Sequence, residues 1–248
     1  MSSLSPLGLV VFVLVMLCAF AVRSAAGFGA VLIALPMLAF VMPISTAVSV
    51  TTALTAITSV HQVSRGWRRV AWRHFAIMAS YSAVGIALGF YFIKLLDERA
   101  LRHGLGVFLI LYAIYALATA GRSRTISARW RNALAAATGI AGGLLGTLFG
   151  AGVGPIYVVY FNALRLEREI FRVTMATVVL LGGFARIAGY VSFGFYEPYS
   201  FVLIAIGLPL VIIGGWLGDK VIRRLDPVKF SWLVGGLIFL SGVALLVK

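Results

Sequence analysis

Arg186 is the one formal charge in the apolar stretch Val178–Phe193. An arginine at membrane depth is costly, so its retention marks a functional site by default. A fixed cation in an otherwise apolar wall is what an anion pathway requires. The competing reading is structural: the guanidinium snorkels to the nearer interface, or satisfies backbone carbonyls at a helix break. A second source of chemistry is the backbone itself. Gly27-Phe28-Gly29 and Gly150-Ala151-Gly152-Val153-Gly154-Pro155 interrupt two apolar runs. Glycine permits tight turns that leave N–H groups exposed, and a helix starting after such a turn attracts anions. Glycines also simply let helices approach, the reading that suits Gly142, Gly143 and Gly146. The 150–154 cluster, closed by a proline, suits a functional break. Thr51 and Thr174 follow the two clusters and would add hydroxyl donors. The predicted substrate-binding set is therefore Gly27, Gly29, Thr51, Gly150, Gly152, Gly154, Thr174 and Arg186, acting on a small anion. Arg186 lies three helical turns past Thr174, about 18 Å on an ideal axis. It serves either an outer vestibule, or the site directly if the helix breaks near Gly182-Gly183. Tyr157 and Asn162 either line a polar path or bond helix to helix.

The elements that must position these residues are set by composition. Of 248 residues, 62% are hydrophobic and 11% charged, with mean hydropathy +1.05; a soluble domain carries about 25% charged residues. The fold class is all-α, a polytopic integral membrane protein whose length suits about ten spans and leaves no room for a soluble domain. The single cysteine, Cys18, excludes an internal disulfide and reads as helix packing. Leu4–Val22 lacks a basic leader and is long enough to span, so it is expected to be a transmembrane helix rather than a signal peptide.

Apolar runs between charges and turn residues predict segments at 4–22, 25–42, 44–64, 72–95, 101–120, 131–149, 151–164, 171–193, 198–219 and 228–247. The second and seventh are short and begin with glycine, so the alternative is eight spans with two re-entrant segments. Lys/Arg placement favours ten. With the N-terminus outside, the clusters at 65–73, 122–131, 165–172 and 220–229 all fall in the cytoplasm, and outside remain Lys94, Arg99, Arg102 and Lys248. The five tryptophans, Trp67, Trp72, Trp130, Trp216 and Trp232, mostly fall near span ends and read as interfacial anchors. Topology and anionic lipid account for the net charge of +14, so nucleic acid is not an expected partner.

The halves resemble each other. Residues 27–54 align with 150–177, pairing Gly27 with Gly150, Gly29 with Gly152 and Thr51 with Thr174. Residues 85–117 align with 214–246, pairing Gly85 with Gly214, Gly89 with Gly218, Leu96-Asp97 with Leu225-Asp226, and Gly106 with Gly235. Five spans per half is odd, so the second half inserts inverted, with 1–121 as the first repeat, 122–130 as a cytoplasmic linker and 131–248 as the second repeat. In secondary transporters of this design the substrate meets broken helices at equivalent places in both halves; here these are Gly27–Ala30 and Gly150–Gly154, expected to approach each other near the midplane.

Gly27-Phe28-Gly29-Ala30 running to Leu35-Pro36, its partner at 150–155, and the following small/Thr motifs Ala47–Thr52 and Arg172–Thr177 resemble the sulfite exporter TauE/SafE family of membrane permeases over nearly the whole chain. The resemblance implies movement of sulfur-containing anions, sulfite or organosulfonates, across a bacterial inner membrane.

The rival classes are a passive anion channel, which sequence does not separate from an alternating-access carrier, and a membrane-embedded enzyme. The enzyme lacks material: His-Glu-x-x-His and Gly-x-Ser-x-Gly are absent, and His61, His74 and His103 are dispersed. Every acid lies near a predicted helix end, Asp97 and Asp226 as turn or cap residues. No catalytic residue, metal site or cofactor is expected. A coupling proton would travel on a weakly acidic substrate or on His61, since no intramembrane carboxylate is visible. Oligomeric state is not legible.

Overall fold

Lipid offers no hydrogen bonds, so a spanning backbone must satisfy its own N–H and C=O groups. A computed structural model describes residues 4–26, 29–119, 127–150, 153–220 and 227–247, and what it shows is helix joined by short turns. The described residues form α1 (Pro6–Ala26), α2 (Ala30–Leu38), α3 (Ile44–Gly66), α4 (Trp72–Ile93), α5 (Glu98–Thr119), α6 (Arg131–Phe149), α7 (Val153–Ala163), α8 (Arg168–Ser192), α9 (Pro198–Lys220) and α10 (Pro227–Val247). All but α2 match a predicted segment to within four residues; α2 is half the length of the predicted 25–42, because α1 continues to Ala26 and α2 ends at Leu38. Seven are long and apolar enough to cross a membrane, and α10 contributes the apolar stretch Gly235–Val247.

The exceptions are α2 and α7, with 9 and 11 residues. At 1.5 Å per residue they extend about 14 and 17 Å, roughly half a 30 Å hydrocarbon core. Both follow a glycine turn. Gly29 caps α2 at φ +95°, and Gly150 ends α6 at φ +62°. In these left-handed conformations a side chain is strained, so glycine is required. Gly27, Gly152 and Asp226 lie outside the described residues.

Two compact units are present, and each draws helices from both halves of the chain. One comprises Met1–Thr51, Leu96–Arg122 and Tyr196–Lys248. Within it α1 packs on α9 and α5 on α10, with α2 almost entirely buried. The other comprises Thr52–Leu95 and Ser123–Phe195, where α4 packs on α6, and α7 and α8 lie against that pair.

Small residues let the backbones touch. A Cβ on Gly85 would overlap the Ile140 carbonyl oxygen of α6, and one on Gly218 would overlap that of Ala21 on α1. Gly89 meets Thr147, and Gly214 the Leu17 carbonyl, too closely to admit a Cβ either. The glycines that pair in sequence thus play the same part in separate units: Gly85 and Gly89 seat α4 on α6, as Gly214 and Gly218 seat α9 on α1. Helix starts are capped from a distance as well as locally. Asp97 accepts the Ala100 amide at 2.7 Å, the capping role expected of it, and Glu98 accepts the Ile44 amide at 3.4 Å.

Gly85→Val should therefore disrupt the α4–α6 contact, at or above the upper end of the ~1–3 kcal/mol that overpacking costs. Gly215→Ala, with nothing within 4 Å, should be neutral. Thermal melting of both variants in detergent, followed by size-exclusion fluorescence, reads the difference; an equally stable Gly85→Val would refute the close-approach account.

Candidate functional site

α8 runs unbroken through Gly182-Gly183 to Ser192, so the break that would have brought Arg186 to Thr174 is absent. Arg186 stands about 9 Å along the axis from the end of α8. It does not snorkel to that nearer end. Helical side chains lean toward the N-terminus, and the Arg186 guanidinium lies over Gly182, where a Cβ would be 3.3 Å from Nη1. The missing side chain of Gly182 leaves the room it occupies. Arg186 is 3% exposed, and its Nε and Nη1 are buried without a hydrogen-bond partner.

Tyr157 of α7, in the same unit, joins two further helices. The Tyr157 ring rests on Gly142 of α6, and its hydroxyl bonds Ser82 of α4. This answers the alternative left for Tyr157 in favour of helix–helix bonding. Asn162 is exposed instead, on the wall of an open hollow of ≈ 320 Å³ at the α7–α8 turn.

α3 approaches α8 at two points, which set its register there. Gly66 lies against Val173, and Gly183 lies against Ala56. The contacts are separated by equal numbers of residues on both helices and run in opposite senses, so α3 and α8 are antiparallel here. The Arg186 backbone then stands level with Ala53, and its guanidinium, folded back toward Gly182, points toward the level of Thr55. Thr52, Thr55 and Ala56 share the helical spacing of one face. The hydroxyls of Thr52 and Thr55 are buried and unpartnered. Their neighbours are not: Thr51 donates to the Ala47 carbonyl at 2.6 Å, Thr58 to the Thr55 carbonyl at 2.9 Å and Ser59 to the Thr55 carbonyl at 2.8 Å.

The residues expected to bind thus separate. Arg186 is buried and polar-unsatisfied. Gly150 forms a left-handed turn at the end of α6, and Gly154 lies in the first turn of α7. Gly29 forms a left-handed turn before α2 in the other unit. Thr174 is fully buried and accepts the Ala71 amide at 2.9 Å, which ties α8 to the start of α4. Thr51 spends its proton on its own helix. Sequence reasoning did not single out Thr52, Thr55 or Tyr190. The Thr51-Thr52-x-x-Thr55 spacing was the available signal for the first two. Tyr190, one turn beyond Arg186, donates to the Thr147 carbonyl at 2.6 Å. That carbonyl is among the last four of α6, which have no partner within their own helix, so Tyr190 holds the α6 terminus beside the Gly150 turn. Phe90, inserted over Gly189, packs edge-on against the Tyr190 ring at 5.6 Å.

Arg186 is thus a buried cation with unpartnered N–H groups, and Thr52 and Thr55 carry buried unpartnered hydroxyls in the same unit. With that geometry in view, the comparisons with known proteins are direct. A sequence profile described as "Sulfite exporter TauE/SafE" matches residues 12–245. The chain is also similar to the "Probable inner membrane transporter protein TsaS" of Comamonas testosteroni, 25% identical over 182 residues, 72% of this chain and 74% of that protein. No solved structure matches it. The chain belongs to the sulfite exporter TauE/SafE family of membrane transporters.

Proposed function

We propose that this protein carries sulfite or a small organosulfonate across the bacterial inner membrane by alternating access. The observation that carries this reading is Arg186, a buried cation whose Nε and Nη1 lack partners. An uncompensated buried charge costs stability, and a bound anion offsets that cost. The family and the relative's name support sulfur anions and the inner membrane. Within the unit that holds Arg186, backbone N–H groups of the Gly150, Gly152 and Gly154 break act as further donors. Gly27, Gly29 and Thr51 are the corresponding positions of the first half. Thr174, held to Ala71, belongs to the same set as a residue that fixes α8.

The proposed frame is ten segments in two inverted repeats, 1–121 and 131–248, joined by a cytoplasmic linker at 122–130. Three observations favour it. The paired glycines seat equivalent helices, both breaks precede a short helix, and α3 and α8, equivalent in the repeat, run antiparallel as an inverted pair would.

Flux into proteoliposomes tests the reading. Saturable uptake of sulfite or a sulfonate is expected, with sulfite uptake altered by a pH gradient. Ohmic, weakly selective current would instead make the protein a channel, and substrate turnover without translocation would make it an enzyme.

Arg186→Gln should lower apparent affinity about ten- to hundredfold, the scale of hydrogen bonds to a charged group. It should insert normally and melt no lower than the parent, because it removes an unpaired buried charge. Arg186→Lys should keep part of the activity if charge suffices and lose it if planar geometry is needed. Undiminished transport by Arg186→Gln would reduce Arg186 to a structural residue.

Topology is read in a Cys18→Ser background by impermeant thiol reagents. Pro43→Cys and Glu197→Cys should label from outside and Ser127→Cys from the cytoplasm. Gly194, the other residue of that outer turn, has φ +71° and would be strained by a cysteine. Cytoplasmic labelling at Glu197→Cys would rule out the inverted arrangement.

A further inference from the structure

We infer that Thr52, Thr55 and Arg186 form a single-charge oxyanion pocket that accepts monoanions and rejects dianions. The inference rests on the anion-transport reading above and adds two binding residues and a charge rule to it.

The first line of argument is the hydroxyls. In an apolar helix a serine or threonine by default returns its proton to a carbonyl one turn back. On α3, Ser49, Thr51, Thr58 and Ser59 all do so. Thr52 and Thr55 do not, although they are 4% and 9% exposed. Among the described residues, buried side-chain polar atoms without a partner occur only on Thr52, Thr55, Arg186 and Ser200. Three of these four residues lie in one unit, and the α3–α8 register sets them at the same level.

The second is charge. The groups that geometry places at the Arg186 level are Gly182 and Gly183 of its own helix and the Thr52–Thr55 face of α3. None is a carboxylate. In this unit's sequence the only carboxylates are Glu167 and Glu169, at the far end of α8. Glu169 is roughly 26 Å from Arg186 along the helix, and its oxygen pairs with exposed Arg69 at 2.5 Å. Within this unit, then, no carboxylate lies near Arg186 to balance its charge. A monoanion neutralises it. A dianion leaves one charge unbalanced in a low-dielectric interior, which is strongly unfavourable. The pocket's donors match three sulfonate oxygens: the Arg186 N–H groups and the two threonine hydroxyls, with no acceptor group required of the protein.

A sulfonate, a monoanion throughout the accessible pH range, then passes at any pH. Sulfite passes as hydrogensulfite, bringing its own proton. Sulfate, of nearly the same size but doubly charged, is excluded.

The test is uptake by the full-length protein in proteoliposomes, with methanesulfonate, sulfite and sulfate as probes. Methanesulfonate should be favoured over sulfate by about a hundredfold in apparent affinity. Sulfite uptake should fall as pH is raised through its second ionisation, while methanesulfonate uptake stays level. Thr55→Val and Thr52→Val should each weaken methanesulfonate about tenfold, and the serine variants, which keep the hydroxyl, should restore it. Thr58→Val, whose hydroxyl is already bonded to its own helix, should match the parent. Sulfate carried as well as methanesulfonate would overturn the charge rule while leaving the transport reading intact. Parent-like affinity in both valine variants would overturn the threonine site. Absence of flux for all three anions would overturn this inference together with the reading beneath it.

Discussion

Every polar group in this protein must find its partner inside the protein, because the surrounding lipid supplies none. The demand turns the chain into helices, whose backbones satisfy themselves. It also returns the hydroxyls of Ser49, Thr51, Thr58 and Ser59 to their own helix, and spends Tyr190 on the frayed end of α6. Against such satisfaction the exceptions stand out. Arg186, Thr52 and Thr55 are buried and unanswered, and all three belong to one unit. Stability does not call for them, since an apolar replacement of similar volume is neutral or stabilising at such a place. A bound anion would bring the missing acceptors.

Glycine controls where that site can exist. Gly85 and Gly143 draw α4 and α6 into backbone contact, and Gly142 accepts the Tyr157 ring, which presses α7 onto the same pair. Gly182 leaves the volume into which the Arg186 side chain folds. Gly150 acts in another way, through a left-handed turn that stops α6 and lets α7 begin as a separate short helix. One residue type thus provides close packing, a cavity and a break, for three distinct physical reasons.

The two sequence halves contribute jointly to each compact unit. α4 of the first half is held by α6 of the second, and α1 of the first by α9 of the second. In the proposed repeat these are equivalent contacts, exchanged between halves. Neither half would bury its glycine seams alone, which accounts for the matching of Gly85 and Gly89 with Gly214 and Gly218 across the chain.

Much of the architecture was legible in the sequence. In lipid, hydropathy overrides subtler preferences, so helix positions could be read to within a few residues. The turns at Gly29 and Gly150, the cap at Asp97 and the family resemblance were also visible in residue types and spacing. The apolar run around Arg186 marked it as unusual but left open whether its side chain stays inside or snorkels. Tertiary structure decided the rest. It showed that α8 is unbroken, so Arg186 and Thr174 occupy different depths, and that Thr174 serves the start of α4. It left the Thr52 and Thr55 hydroxyls unpartnered while Thr51 bonds its own helix, because which threonine back-bonds depends on the face it turns to its neighbours. It also turned Arg186 inward over Gly182. These outcomes depend on the register of α3 against α8, set by contacts between residues far apart in the chain. Local pattern specifies a helix and its apolar faces, but only packing decides which residue of one face meets which residue of another.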